Sequence, residues 1–330
     1  MILLWRLLDY AAVIAPLDSA QVAVALKAAG APVRLEMLKI MQRDSFGVLE
    51  LGQIFAMQQP AMSHHLKVMT RACLLDRRRE GNSIFYRRMQ NAEPGLQRVL
   101  EQIYATAELA ALQKSVARRL ARVQRVRKLR SQRFFADNAQ RFHSQQDLIA
   151  GFTDYGATVR ALMRHAVGGH WLEVGPGAGE LLAAEMRGYQ AVTALDNSAA
   201  MLSASRQRAG AATHIEFVLG EPADLLARAV AADCITCNMV LHHVPSPAAM
   251  LADMAQLLRP GGQMLITDLD AHDQEWAKTS CGDLWLGFSP DQLSAWARES
   301  GLVEGRSEYL ALRNGFRVQV REFLRPADAL

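Results

Sequence analysis

The sequence predicts two joined folds: a small, basic, mostly helical N-terminal part and an α/β C-terminal part on a mostly parallel sheet. Three observations predict this. Charge divides at mid-chain: residues 1–150 hold 23 Lys and Arg against 12 Asp and Glu, a net of +11, and residues 151–330 hold 14 against 21, a net of −7. Apolar residues of the first half recur at helical spacing, as at Leu35, Leu38 and Met41. In the second half, short apolar runs end in glycines or acids and lead into helix-like stretches, the alternation that builds a parallel sheet.

Composition agrees. A chain of 330 residues has room for two domains, and 50% hydrophobic with 21% charged residues is the balance of a soluble globular protein. A basic half joined to an acidic half points to nucleic acid as partner of the first. Cys73, Cys234, Cys237 and Cys281 are too few and scattered for a disulfide framework. Cys234 and Cys237 stand three apart on an expected strand, so they face opposite ways and read as buried thiols. The apolar start, Met1 to Tyr10, carries Arg6 and Asp9 and is too short to cross a membrane. It lacks a basic leader region and reads as a packing or dimerisation helix, with the cytoplasm as the expected location.

Taken in order, Ser19 to Lys27 and Pro32 to Met41 read as helices parted by Gly30. Leu49 to Met57 reads as a third, with Leu51, Ile54 and Phe55 inward. The next helix has Pro60 in its first turn and Met62, Leu66 and Met69 on one buried stripe. Ser63, His64, Lys67 and Arg71 fall on the other side. Helix, three-residue turn and helix with a cationic outer face form a helix-turn-helix arrangement. Ser63 and His64 would reach base edges, with His65 beside them, while Lys67 and Arg71 sit nearer phosphates. Gly81-Asn82 then reads as a hairpin turn, a wing whose Arg77, Arg78, Arg79, Arg87 and Arg88 would meet the DNA backbone or a minor groove.

Gln58-Gln-Pro-Ala-Met-Ser-His-His-Leu-Lys-Val-Met69, with Leu74-Leu75 and Arg79-Glu-Gly-Asn-Ser-Ile-Phe-Tyr86, resembles the ArsR/SmtB family of winged-helix repressors. The resemblance implies a homodimer on palindromic double-stranded operator DNA, released by an effector. Val48 to Met57 and Glu93 to Ser115 contain no Cys or His, so the family's metal ligands are missing there. A long helical tract follows. Leu96, Val99, Leu100, Ile103 and Ala107 make an apolar stripe suited to a dimer seam. From Lys114 to Arg133 the tract is strongly basic, either a solvated face or a set of phosphate contacts.

Phe134 to Phe142 and Gly151 to His165 read as helices, with Tyr155 as a core residue or a lid. Trp171-Leu-Glu-Val-Gly-Pro-Gly-Ala-Gly-Glu-Leu-Leu182 then reads as strand, glycine turn and helix. Gly175, Gly177 and Gly179 let the backbone approach a nucleotide-like ligand, and a helix N-terminus offers N–H groups to an anion. The dinucleotide pattern Gly-x-Gly-x-x-Gly fails because Glu180 takes its last place. Ala191 to Asp196 reads as a second strand ending in an acid that can accept both ribose hydroxyls. Asn197 and Met201 follow. His214 to Leu219 is a third strand, leading to Glu221. Ala232 to Asn238 is the fourth, with Asn238 on the ligand rim and His242 and His243 in the loop beyond. Arg259-Pro-Gly-Gly262 precedes a fifth strand from Gln263 to Thr267. Asp270, His272, Asp273 and Glu275 would bind a metal, line a pocket or form a solvated loop.

Glu173 with the Gly175 loop, Asp196, Glu221 and the Arg259 turn together resemble class I S-adenosylmethionine-dependent methyltransferases over about residues 150–330. The resemblance implies a Rossmann-like fold with a seven-stranded, mostly parallel sheet. It places Asn197 and Met201 beside the adenine and Glu221 at its amino group. His242 or His243 would serve as a base near the methyl group, or cap the next helix.

These readings predict an all-α winged helix-turn-helix domain with a β-hairpin wing over 1–112, a basic helical linker over 113–149 and a methyltransferase-like domain over 150–330. The expected function is a repressor whose second domain binds S-adenosylmethionine or S-adenosylhomocysteine, with no metal. The alternatives are an active small-molecule methyltransferase carrying an autoregulatory DNA-binding domain, or a metal-responsive regulator with a site near His272.

Overall fold

A computed structural model of the chain describes residues 18–80, 83–89, 92–138, 146–163 and 169–327. The apolar N-terminal segment and the Gly81-Asn82 turn of the sequence reading lie outside the described residues. Contacts divide the chain into two compact units, residues 1–123 and 124–330.

In the first unit, α1 (Ser19–Ala29) starts where the Asp18 carboxylate accepts the Ala20 N–H at 2.9 Å. Then follow α2 (Pro32–Ile40), β1 (Phe46–Gly47), α3 (Val48–Phe55), α4 (Gln59–Arg71), β2 (Leu75–Glu80), β3 (Ser83–Arg88) and α5 (Pro94–Leu109). Met62, Leu66 and Met69 of α4 are fully buried against Met37, Leu51 and Ile54, as the helical spacing predicts. The β2–β3 register pairs Glu80 with Ser83, leaving a two-residue connection.

The first unit is not all-α. β1 pairs antiparallel with β3, giving a three-stranded sheet in the order β1-β3-β2. The apolar stripe of α5 is also used differently from the expected dimer seam. Leu96, Leu100, Ile103 and Ala107 are buried in the unit's own core. The helical tract is broken, too: α6 (Lys114–Asn138) begins after a gap at 110–113. Tertiary bonds hold that gap, with Lys39 donating to the Glu108 and Ala110 carbonyls and the Gln113 N–H donating to Glu36. The boundary between the units falls within α6.

The second unit continues with α7 (Phe152–Leu162), β4 (His170–Val174), α8 (Glu180–Glu185), β5 (Ala191–Asp196), α9 (Ala199–Ala209), β6 (Ile215–Leu219), α10 (Pro222–Leu226) and β7 (Ala232–Asn238). Then come α11 (Pro247–Leu257), β8 (Leu258–Leu269), α12 (Trp276–Ser280), α13 (Pro290–Glu299), β9 (Val303–Ala311) and β10 (Arg317–Leu324). Arg259-Pro-Gly-Gly262 lies inside β8 rather than before it. The seven strands run in the order β6-β5-β4-β7-β8-β10-β9. β4 to β8 pair in parallel and β10 is antiparallel to both neighbours. The chain moves outward from β4 to β5 and β6, then crosses back to β7. A crevice opens at such a reversal, at the carboxyl ends of the strands.

Candidate functional site

Much of that crevice is built from strand ends. β4 delivers Glu173 and runs into Gly175 and Gly177, both in left-handed backbone, with φ of +68° and +56°. The Gly175 N–H donates to the Leu195 carbonyl at 2.8 Å, fastening the loop to β5. β5 delivers Asp196, followed by Asn197, and α9 delivers Met201. The loop after β6 supplies Glu221, and the end of β7 supplies Asn238. All these residues line one cavity, joined by Tyr155 of α7, Ser131 of α6 and His243. Tyr155 is buried and also lines the cavity, so it belongs to core and site alike. Gly179 does not line it. It caps α8 in left-handed backbone, packed so closely on Ser205 that a Cβ would lie 2.9 Å from the Ser205 Cα.

Two polar atoms opposite each other in chemistry, an acid oxygen and an amide nitrogen, are among those of this cavity buried without a hydrogen-bond partner. They are one carboxylate oxygen of Glu173 (Oε2) and the amide nitrogen of Asn238 (Nδ2). The Asn238 oxygen is satisfied, accepting from Thr267 Oγ1 at 2.7 Å, so its amide N–H₂ points elsewhere. An orphaned buried polar group costs about 1–3 kcal/mol, which a ligand recovers. Glu173 is only 2% exposed, and burial, then the nearby Glu180 carboxylate, push its pKa well up. A cationic group such as an amine or a sulfonium would draw that carboxylate back to its charged form. Burial also raises Asp196, to about 6, against the Ser198 and Asn197 backbone N–H groups that favour its charge. Beside these groups Met239 adopts left-handed backbone at φ +56°, a strain of the kind that gathers at ligand sites.

Glu221 is held before any ligand arrives. Lys128 of α6 pairs with it at 2.8 Å, and Asn197 Nδ2 lies 3.5 Å from the same oxygen. Ser131, one turn on, donates its hydroxyl to the His243 carbonyl at 2.9 Å. The basic tract is therefore not only a solvated face: Ser131 lines this cavity, and Gln124, Arg125 and Lys128 line a neighbouring pocket that shares Ser131, Asn197 and Glu221 with it. Nothing in the run of arginines and lysines marks Lys128 or Ser131 for this role.

Of the two histidines, His243 lines the cavity and His242 lies behind it, 1% exposed. The expectation that either would face the methyl group is corrected for His242. Its Nδ1 bonds to Asp268 Oδ1 at 2.8 Å, and its Nε2 lies 3.9 Å from Asp283 Oδ1. Burial pulls the His242 imidazolium down, but Asp268 and Asp283 outweigh it and push the pKa up to about 9. Burial and the His242 charge push His243 well below its usual value. Asp268 and Asp283 were not legible in the sequence. The acidic loop singled out there does not converge: Asp270 pairs with Arg317, His272 packs edge-on against Phe316, and Asp273 and Glu275 are exposed. Cys234 and Cys237 are buried free thiols on β7.

In the first unit, Ser63, His64, Lys67 and Arg71 of α4 and Arg77 and Arg79 of β2 are exposed. Arg78 and His65 are half-buried, and burial, then the Arg34 and His64 charges, lower the His65 pKa. The arginines of β3 are engaged inside the unit. Arg87 pairs with Asp76 at 3.0 Å. Arg88 donates to the Leu38 carbonyl at 2.8 Å, pairs with Glu108 and lies over the Tyr104 ring. Their placement on an outer DNA-facing surface is therefore corrected.

Comparison with known proteins places the second unit. Residues 152–304 match the family described as a methyltransferase domain. The ubiquinone biosynthesis O-methyltransferase of Xanthomonas axonopodis pv. citri is 28% identical over 150 residues, 41% of this chain and 63% of that protein. Its Coxiella burnetii counterpart is 28% identical over 149 residues, 41% of this chain and 64% of that one. The chain thus spans just under two thirds of these relatives. Among solved structures, a chain of the complex between the Haloferax volcanii Trm112 methyltransferase activator and a methyltransferase superposes with a TM-score of 0.52. It covers 61% of this chain and 99% of its own length at 17% identity, a likeness of fold. The C-terminal part thus carries a methyltransferase-like domain with a Rossmann-like, mostly parallel sheet.

Proposed function

We propose that this methyltransferase domain is catalytic, moving the methyl group of S-adenosylmethionine to an oxygen of a small molecule, in a chain that also binds DNA through its first unit. The observation that carries this reading is the pair of orphaned polar atoms, Glu173 Oε2 and Asn238 Nδ2, lining one cavity with Asp196. An acid for the donor's ammonium, an amide for a carbonyl or carboxylate, and an acid for the ribose hydroxyls match the donor's polar groups end to end. Methyl transfer from a sulfonium asks mainly that the acceptor be held in line, so a shaped cavity supplies most of the chemistry. His243 is the histidine that lines the cavity, where burial and the His242 charge disfavour its protonated form, so the transfer rests on positioning more than on a base. The named activity of the curated relatives supports a hydroxyl acceptor.

Labelled S-adenosylmethionine mixed with protein and a cell extract should label a low-molecular-weight product. Asp196→Asn should cut S-adenosylhomocysteine affinity about ten- to a hundred-fold, since hydrogen bonds to a charged group are worth about 1.5–3 kcal/mol. The proton competes with the ribose for Asp196. Wild-type affinity should therefore hold above about pH 6 and fall below it, at up to about tenfold per pH unit. The variant should lack that fall. Product labelling that survives in the variant at unchanged affinity would sink this assignment.

A second reading, in which the domain senses S-adenosylmethionine or S-adenosylhomocysteine for a DNA-binding regulator, is favoured by one observation. Lys128, on the helix that starts in the first unit, occupies the acid assigned to the adenine. DNA binding by the first unit is supported by the order α3, α4, β2, β3 and by the exposed polar face of α4. On this reading Arg79→Ala weakens binding to every duplex and lowers the salt slope by about one, whereas His64→Ala changes base preference by about 1–3 kcal/mol. A uniform effect of both across operator and random duplexes, measured by fluorescence anisotropy, would contradict the placement of α4 in the groove.

A further inference from the structure

Among the described residues, His242, His243 and Asp283 form the one group of three whose ligand atoms all lie within 4.8 Å of one another and fit a metal ion. All three are buried. His243 Nδ1 lies 3.6 Å and His242 Nε2 3.9 Å from Asp283 Oδ1. Around zinc, with bonds of about 2 Å, tetrahedral ligand atoms stand about 3.3 Å apart; the two gaps to Asp283 close with shifts of a few tenths of an ångström, and the imidazoles, within 4.8 Å of each other, close by side-chain rotation.

The surroundings are those of a built site. Both Asp283 oxygens are buried without a hydrogen-bond partner, an arrangement that calls for a cation. Asp268 accepts from His242 Nδ1, which leaves Nε2 aimed at Asp283, where a metal ion would take the place of the Nε2 proton. A carboxylate behind a histidine is the usual outer partner of a metal-bound imidazole. The backbone pins the two halves together. The Leu284 and Trp285 N–H groups both donate to the His242 carbonyl, at 2.9 and 3.1 Å. Trp285 Nε1 donates to the Val244 carbonyl at 2.8 Å, and the Arg127 guanidinium lies over the Trp285 ring. Asp283 is thereby held against the short turn that carries the histidines.

We propose that His242 Nε2, His243 Nδ1 and an Asp283 carboxylate oxygen bind one divalent transition-metal ion, zinc in the first instance, with Asp268 orienting His242. Two imidazoles and one carboxylate suit zinc and its neighbours, whereas magnesium and calcium prefer oxygen alone. Three protein ligands leave a coordination position open, the pattern of a reactive rather than a purely structural zinc. His243 lines the donor cavity, so its imidazole would stand between the metal ion and the cavity. The site holds whether the domain transfers methyl groups or senses the donor.

The full chain is stripped with a chelator, loaded with zinc, desalted and assayed for bound metal. One zinc per chain is expected in the wild type and in His272→Ala. Asp283→Asn and His243→Ala should each weaken zinc binding at least about 100-fold, with melting curves of the metal-free variants reporting whether they fold. No retained zinc in the wild type, or equal retention in folded variants, overturns the site. Should both variants fail to fold, cobalt in the wild type decides. Visible ligand-field bands of a four-coordinate nitrogen and oxygen site support the proposal, and thiolate charge transfer from a cysteine overturns it.

Discussion

Gly175→Ala is expected to weaken S-adenosylhomocysteine binding at least about thirty-fold, measured by calorimetry on the full chain. Two costs add. A non-glycine residue in left-handed backbone carries about 1–3 kcal/mol of strain. The new Cβ would also stand 2.3 Å from Val240 Cγ2, too close for any real contact. Overpacking of that kind costs about 1–3 kcal/mol more. The loop relieves both by moving, which carries the Gly175–Leu195 hydrogen bond and the cavity wall with it. Gly177→Ala is the matched control. It shares the positive φ but meets nothing within 4 Å, so it pays the strain alone. Equal losses from the two substitutions would show that conformation, not the Val240 contact, governs this loop.

Asp268→Ala, in metal-free protein, is expected to lower the stability of the C-terminal unit by about 3–5 kcal/mol, or roughly 10 °C in melting temperature. Asp268 is fully buried and accepts from both His242 Nδ1 and the Leu269 N–H. Its removal strands a buried imidazole and a backbone donor without their acceptor. Arg259→Ala breaks an ion pair with Asp233 whose partners are 47% and 27% exposed, and should cost under about 1 kcal/mol. If circular dichroism melts show the two variants equally affected, the buried cluster is not the structural anchor its bonds imply.

What the sequence disclosed follows a physical pattern. The glycine turn, Asp196, Glu221 and Asn238 were legible because strand ends impose local chemistry that short windows record. The stripe of α5 was legible as apolar but not in its partner, since the same spacing serves a core inside one chain or a seam between two. Asp283 was hidden because nothing near it in the chain hints that it meets His242 and His243; backbone bonds from Leu284 and Trp285 bring it there. The acidic loop after β8 misled for the opposite reason: residues close in sequence diverge into an ion pair, a ring contact and solvent. β1 escaped notice because two residues are too short a run to show alternation.

The contacts of α6 have a consequence for where this methyltransferase-like domain begins. Homology to the methyltransferase family starts at residue 152, yet Lys128 and Ser131, which touch Glu221 and the His243 loop, precede it. A fragment beginning at residue 152 would keep the seven strands of the second sheet and lose Ser131 from its cavity wall and Lys128 from Glu221. Inheritance and function thus draw different borders on this chain. The stretch that joins the two halves is also a component of the second, and substitutions in it are under the constraint of a binding site rather than the freedom of a tether.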